Sequence, residues 1–179
     1  MVSAQLVASV HALPATAFAG RAFRHQPARY DPLSGRGARS LGGRWNPPGN
    51  FSVLYLGLDE ATVSREFRRH AARQGRALSD FLPRTLYGYD VEAANLVDLR
   101  DSGAASAVGL EGAAFGADDL RPCQRVGEAA QHAGREGILA PSAAGSGPVL
   151  ALFLDSVKPG SSIAPHALGT WDVPGDVEG

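Results

Sequence analysis

The stretch Gly42-Gly43-Arg44-Trp45-Asn46-Pro47-Pro48-Gly49, followed by the apolar run 51–58 and then by Asp59-Glu60-Ala61-Thr62-Val63-Ser64-Arg65-Glu66, decides how the chain folds. It reads as a rigid loop, a buried strand and a helix. Glycines and prolines bracket an Arg, a Trp and an Asn, so the loop holds its polar groups in a fixed shape without a metal or a disulfide. Such a loop suits an anionic, ring-bearing ligand. The run 51–58 is short, apolar on both faces and bounded by turns, which are the marks of a central strand. Tyr55 shares a face with Val53 and Gly57, and Leu54, Leu56 and Leu58 point the other way. Asp59 suits the N-cap of the following helix and Glu60 its positive end. On that helix Val63, Phe67 and His70 form the buried stripe, and Arg65, Arg68, Arg69 and Arg73 face mostly outward. Glu66 lies about 60° from Val63, at the margin of the stripe, where its carboxylate reaches a pocket over the sheet.

Residues up to Ala19 read as strand or loop. The segment 18–23 forms a strand that ends at Arg24 and places that guanidinium at a sheet edge or cleft. From His25 to Ser40 the chain is rich in Pro, Gly, Ser and Arg, which predicts a long loop bordering the site. Two strands follow over 85–91 and 95–100, then short helical pieces over 101–122. A helix over 124–133 ends at Gly134, and two more strands occupy 137–140 and 149–154. Ser142, after Pro141, falls at a strand end. Beyond Asp155 the expectation is an irregular tail with Trp171 as its only large anchor.

A chain of 179 residues is most simply one domain. The lone Cys123 excludes an intrachain disulfide and a cysteine zinc site, and His11, His25, His70, His132 and His166 show no metal-ligand spacing. The apolar segment 6–19 lacks a basic start and contains His11 and Pro14, so it is not read as a signal sequence. No run is long enough to span a bilayer, and the cytoplasm is the default location. Net charge is −1, yet residues 1–76 carry eleven arginines against four acids, a balance of +7 that leaves −8 for the remainder. That asymmetry invites a nucleic-acid reading. The plainer reading is that the two halves neutralise each other in the fold, since Lys158 is the only lysine and a solvated basic patch usually includes lysine.

Several residues carry two readings. Arg24 and Arg44, between loop and strand signals, present rigid forks to phosphate oxygens or make surface ion pairs. Trp45 is a stacking platform for a ring or a plug over the core. Tyr55 offers a hydroxyl from a buried strand or bonds a backbone carbonyl. Glu66 is catalytic or sits in a salt bridge with Arg69, Arg73 or Arg24. Ser142 binds a phosphate or a ring amide; without a G-x-S-x-G elbow it is a poor hydrolase nucleophile. The glycines of 103–116 match neither a dinucleotide fingerprint nor a P-loop.

Taken in order, Arg24, Pro32-Leu33-Ser34-Gly35, Gly42-Gly43-Arg44-Trp45-Asn46, Val53-Leu54-Tyr55-Leu56, Glu66, Val97-Asp98-Leu99-Arg100, Gly137-Ile138-Leu139 and Pro141-Ser142 resemble the RES-domain family, the toxins of bacterial toxin–antitoxin pairs. The resemblance covers roughly residues 20–155 of a single RES-like domain, with 156–179 as an irregular extension. It implies an α+β fold, a mixed/antiparallel split sheet with flanking helices like that of the ADP-ribosyltransferases. It also implies NAD+ as substrate, with no metal. The residues falling on the family's pocket positions are Arg24, Tyr55, Glu66 and Ser142 as catalytic groups, and Arg24, Arg44, Trp45, Asn46 and Tyr55 as NAD+-binding groups. Arg65 departs from the family, where an apolar residue is usual. The expected outcome is NAD+ depletion by hydrolysis or phosphorolysis. ADP-ribosyl transfer to a protein is the runner-up, and a non-catalytic arginine-rich module for nucleic acid or a partner protein is the reading of another class. The expected partner is a helix-turn-helix antitoxin, with inorganic phosphate or a protein as acceptor, and with neither a membrane nor direct nucleic-acid contact.

Overall fold

Alternating apolar residues dictate the core of the computed structural model, which describes residues 2–178. Strand β1 (Thr16–Gln26) is followed by β2 (Val53–Gly57), β3 (Arg84–Asp98), β4 (Gly137–Pro141), β5 (Pro148–Phe153) and β6 (Ser162–Trp171). They form one sheet in the order β1-β2-β5-β4-β3-β6, antiparallel except for the parallel β3–β4 pair. An additional β1–β3 ladder joins the first strand of this order to the fifth, so five strands close on themselves and β6 stays outside on β3. Leu54, Leu56, Leu139, Leu150, Leu152, Val91 and Tyr89 fill one buried cluster on the inner face of this ring. On the other face Val53, Val97, Ile138, Ala151 and Phe153 meet the helices, with Trp45 among them. The α+β class and the flanked mixed sheet expected from sequence are present.

The helices are α1 (Ala4–Ala12), α2 (Arg36–Leu41), α3 (Glu60–Arg73), α4 (Ser102–Ala107), α5 (Gly112–Gly116) and α6 (Arg121–His132). Helix α1 corrects the expected strand or loop. Ser3 caps it by accepting from Leu6 N, Val10 is fully buried, and Leu6 and Val7 pack on the same cluster. Its last carbonyls are held by buried Arg135, whose Nη2 donates to Val10, His11 and Leu13. Helix α2 is a six-residue turn inside the expected long loop. Helix α6 lies so close to the 42–49 loop that a Cβ on Gly127 would stand 1.7 Å from the Trp45 carbonyl oxygen. No side chain fits there.

Two further expectations change. The two strands expected over 85–91 and 95–100 are one, because Val91 and Ala93 keep the inward alternation through the supposed gap and pair with β1. The tail is not irregular. Residues of β6 run antiparallel along β3 from Arg84–Trp171 to Glu92–Ser162, and Trp171 and Val177 close a third cluster with Val63 and Phe67 of α3. An edge strand needs only one neighbour, so Pro165 and Gly169 are tolerated in it. Fully buried Glu136 secures this arrangement: its carboxylate accepts from Ala94 N, Asn95 N and Lys158 N and from the Ser161 hydroxyl, tying β3 to the approach of β6. Burial alone would raise its pKa, but these donors hold it below the ordinary value of 4.5.

Candidate active site

Asp59 caps α3, accepting from Thr62 N at 2.6 Å, as the sequence predicts. The buried stripe is Val63, Phe67 and Ala71, spaced by four; His70 is exposed, which corrects its place in the stripe. Glu66 is left on the flank, half-buried and facing the loop after β4. Its Oε1 accepts from Ser142 Oγ at 2.5 Å and from Ala144 N at 3.3 Å, and Ala144 N also lies 3.0 Å from Ser142 Oγ. Glu66 and Ser142, 76 residues apart, thus form one hydrogen-bonded unit. Of its two readings, the carboxylate makes no arginine ion pair among the described residues.

The arginines on either side of Glu66 do something else. Arg65 Nη2 donates to Ser146 O at 3.0 Å and to Thr62 Oγ1 at 3.1 Å, pinning the 142–147 loop to α3. Gly147 completes this contact at φ +95°, where a Cβ would meet Thr62 Oγ1 at 2.0 Å. One turn on, Arg69 Nη2 donates to Gly116 O at 2.8 Å, and Arg69 and Arg73 both stand 3.5 Å from Asp118. Two loops are therefore anchored to α3 by arginines, and the Glu66 carboxylate faces the first of them. The expectation that these arginines face mostly outward missed both anchors, although their spacing of four residues about Glu66 was legible.

The Gly42–Gly49 loop is rigid for a reason the sequence did not give. Tyr55 Oη donates to Asn46 Oδ1 and accepts from Trp45 N, each at 2.8 Å, and Asn46 Nδ2 donates to Ala38 O at 2.7 Å. Burial drives the Tyr55 phenol above its ordinary pKa, against the pull of the Trp45 amide. Trp45 is 1% exposed and packs 6.1 Å from the Phe115 ring, and Asn46 is fully buried. Of the two readings of Trp45, the core plug is realised and the stacking platform is corrected. Arg44 donates to Ala114 O and Ala117 O at 3.2 and 3.1 Å, fixing α5 and the residues after it. Trp45, Asn46, Tyr55 and Arg44 together hold the 42–49 loop against β2, α2 and α5.

Arg24 lies on β1 opposite Tyr87, one residue past the Phe23–Gly57 bridge to β2. Its Nη1 donates to Ser34 O at 3.3 Å, and neighbouring Tyr89 donates to Pro32 O at 2.8 Å, so both reach the loop after β1. Burial lowers the Arg24 pKa, with Tyr89 opposing. A cleft of about 430 Å³ lined by Leu99, Leu110, Phe115 and Pro141 opens beside the residue that precedes Ser142. A second, of about 510 Å³ beside Pro47 and the start of α6, includes none of the predicted site residues. Among the described residues, no three His, Cys, Asp or Glu side chains gather as a metal site, and no helix is long and apolar enough to cross a membrane.

With a glutamate–serine pair, a half-buried strand arginine and a clamped loop in place, comparison with known proteins is decisive. The model of the RES domain matches residues 19–174. The chain belongs to the RES domain family. The NAD(+) phosphorylase MbcT of Mycobacterium tuberculosis is 36% identical over 140 residues, covering 77% of this chain and 75% of MbcT, and the Mycobacterium bovis protein of that name matches equally. The crystal structure of the M. tuberculosis MbcT–MbcA toxin–antitoxin complex superposes with a TM-score of 0.81 at 30% identity, covering 99% of this chain and 97% of the other. The RES match reaches Asp155 and continues through β6, in keeping with the folded tail.

Proposed function

We propose that this RES domain is the toxin of a toxin–antitoxin pair and depletes NAD+ by phosphorolysis of the nicotinamide–ribose bond. The observation that carries the reading is the Glu66–Ser142 pair, held on a loop that Arg65 anchors to α3. The relatives named NAD(+) phosphorylase support phosphate as acceptor over water, and the MbcT–MbcA complex supports an antitoxin partner. In the reaction the C1′–N bond breaks, its electron pair leaves with nicotinamide, and a phosphate oxygen forms the new bond to C1′.

The ribose gains oxocarbenium character as that bond stretches, so a fixed carboxylate beside it lowers the barrier. Glu66 supplies that charge and bonds the ribose hydroxyls. Ser142 and Ala144 N hold its Oε1, which leaves Oε2 for the sugar. Arg24 binds the pyrophosphate, and Arg44, Tyr55, Asn46 and Trp45 hold the surrounding wall in shape. A substrate drawn from the intracellular NAD+ pool supports a cytoplasmic site of action.

The test is to incubate the purified protein with NAD+, with and without phosphate, and to identify products by mass. Phosphate-dependent release of nicotinamide with ADP-ribose 1″-phosphate is expected. Free ADP-ribose in both conditions would mark hydrolysis, and label on protein would mark ADP-ribosyl transfer. Folded protein that releases no nicotinamide would remove the enzymatic reading.

A further inference from the structure

The fold absorbs the basic bias of residues 1–76 only in part. Of its eleven arginines, Arg21, Arg73 and Arg76 pair with Asp90, Asp118 and Asp80, and Arg24, Arg44, Arg65, Arg68 and Arg69 donate to backbone carbonyls. Arg29, Arg36 and Arg39 remain, and among the described residues their side chains meet neither a carboxylate nor a carbonyl. They lie together on residues 28–41, where Asp31 is the only acid and turns its Oδ1 to Leu33 N at 2.8 Å. The same segment carries Tyr30, Leu33 and Leu41, three of the five exposed large apolar side chains among the described residues; Leu41, at 83%, is the most exposed of them.

These free side chains stand on a fixed backbone. Tight turns close from Pro27 O to Tyr30 N and from Asp31 O to Ser34 N. Gln26, Tyr89 and Arg24 donate to the carbonyls of Tyr30, Pro32 and Ser34, and a Cβ at Gly35 would stand 2.9 Å from the Ser52 Cβ. Asn46 Nδ2 and Gly49 N then hold Ala38 O and Arg39 O of α2. A surface ordered before it is used loses little conformational entropy on binding, and arginine and tyrosine, rather than lysine, are what protein interfaces favour.

We propose that residues 28–41 dock a partner-protein segment in which carboxylates are interspersed with apolar side chains, and that this partner is the antitoxin. The identity of the partner rests on the toxin–antitoxin reading above. Guanidinium forks with no internal counterion take carboxylates in bidentate pairs, and Leu33 and Leu41 lose water only against apolar groups set beside those carboxylates. Nucleic acid fits this surface less well. A single strand needs open ring faces as well as cations, and Arg29 already covers the Tyr30 ring at 4.7 Å and donates to its hydroxyl.

The experiment uses the full chain, co-expressed with the helix-turn-helix protein of the adjoining reading frame and then separated from it. Binding is titrated at low and at raised salt for wild type, for the double variant Arg36→Glu with Arg39→Glu, and for Leu41→Ser. All three substituted side chains are exposed, so melting temperature and antitoxin-free NAD+ cleavage should stay at wild-type values. Charge reversal is expected to weaken the complex by about 100-fold or more at low salt and to remove most of its salt dependence. Leu41→Ser is expected to weaken it by about tenfold with the salt dependence kept. A complex equally tight in all three proteins leaves the toxin–antitoxin pair standing and overturns the surface. Wild-type chain that binds no such protein removes the pair, and this occupant with it. Arginine-dependent binding of DNA or RNA in place of the protein would assign the surface to nucleic acid, and loss of NAD+ cleavage in folded variants would assign the segment to the catalytic pocket; either result overturns the proposal.

Discussion

Substituting Arg65 by Met tests whether the loop anchor positions the Glu66–Ser142 pair. The change removes the 3.0 Å bond to Ser146 O and the 3.1 Å bond to Thr62 Oγ1, and keeps the apolar stem over α3. A hydrogen bond from a charged donor contributes about 1.5–3 kcal/mol when well buried. Here the Arg65 side chain is 34% exposed, and its ion pair with Asp59 is long, at 3.8 Å, so the lower end applies and the ion pair adds almost nothing. A loss of about 1.5 kcal/mol from the closed loop reduces its population by at most about tenfold, which sets the ceiling on the fall in kcat. KM for NAD+ should move less, since Arg24 and the 42–49 loop stand on other elements. The assay is steady-state nicotinamide release, paired with amide exchange at Ala144, whose N–H lies on Glu66 Oε1. Faster exchange and lower kcat together are expected, with partial rescue by Arg65→Lys. If kcat falls while exchange at Ala144 is unchanged, or neither moves, Arg65 does not position the pair.

Glu66→Gln keeps the shape and removes the charge; kcat for NAD+ cleavage should drop by at least about 100-fold with little change in KM, and equal losses in binding and turnover would mark a structural carboxylate. Acid stability has two steps with the same sign. His25 has a folded pKa well below its ordinary 6.5, and Glu136 lies below its ordinary 4.5, so in both cases the unfolded chain takes up protons first. The contribution of His25 is full above pH 6.5 and erodes as pH falls below it; that of Glu136 is full above 4.5 and erodes below that. Melting temperatures of His25→Phe and Glu136→Gln across pH 2.5–7.5 check this, each variant flattening its own window, with Arg84, Arg24 and His70 the charges that face His25. Gly127→Ala forces a Cβ into the Trp45 carbonyl and should cost about 3 kcal/mol or more in urea melts; a loss under about 1 kcal/mol would show that α6 can move away from the loop.

The central strand, the Asp59 cap, Glu66 and Ser142 were legible because each rests on local pattern or on a matched motif. What escaped notice depends on partners distant in sequence. Nothing near Arg135 announces that its fork closes the C-terminus of α1 some 120 residues earlier, and nothing near Glu136 names the Ser161 hydroxyl. The β6 strand was missed because an exposed edge strand carries little hydrophobic alternation and its register comes from β3. Trp45 illustrates the reverse error: its two readings differ only in which side of the loop faces the core, and the close approach of Gly127 settles that.

The basic bias of residues 1–76 has a physical use that neither the nucleic-acid reading nor simple charge neutralisation anticipates. Arg24, Arg44, Arg65, Arg68 and Arg69 each donate to backbone carbonyls: Ser34, Ala114 with Ala117, Ser146, Val177 and Gly116. A guanidinium can take carbonyls from a loop end and remain charged, which a lysine ammonium does with less directional control. Loops fixed in this way need little secondary structure of their own, which is why glycine- and alanine-rich segments such as 101–122 and 142–147 can form the walls of a site. Arginine in this segment therefore serves as a fastener, tying loops on both sides of α3 to the framework through their carbonyls.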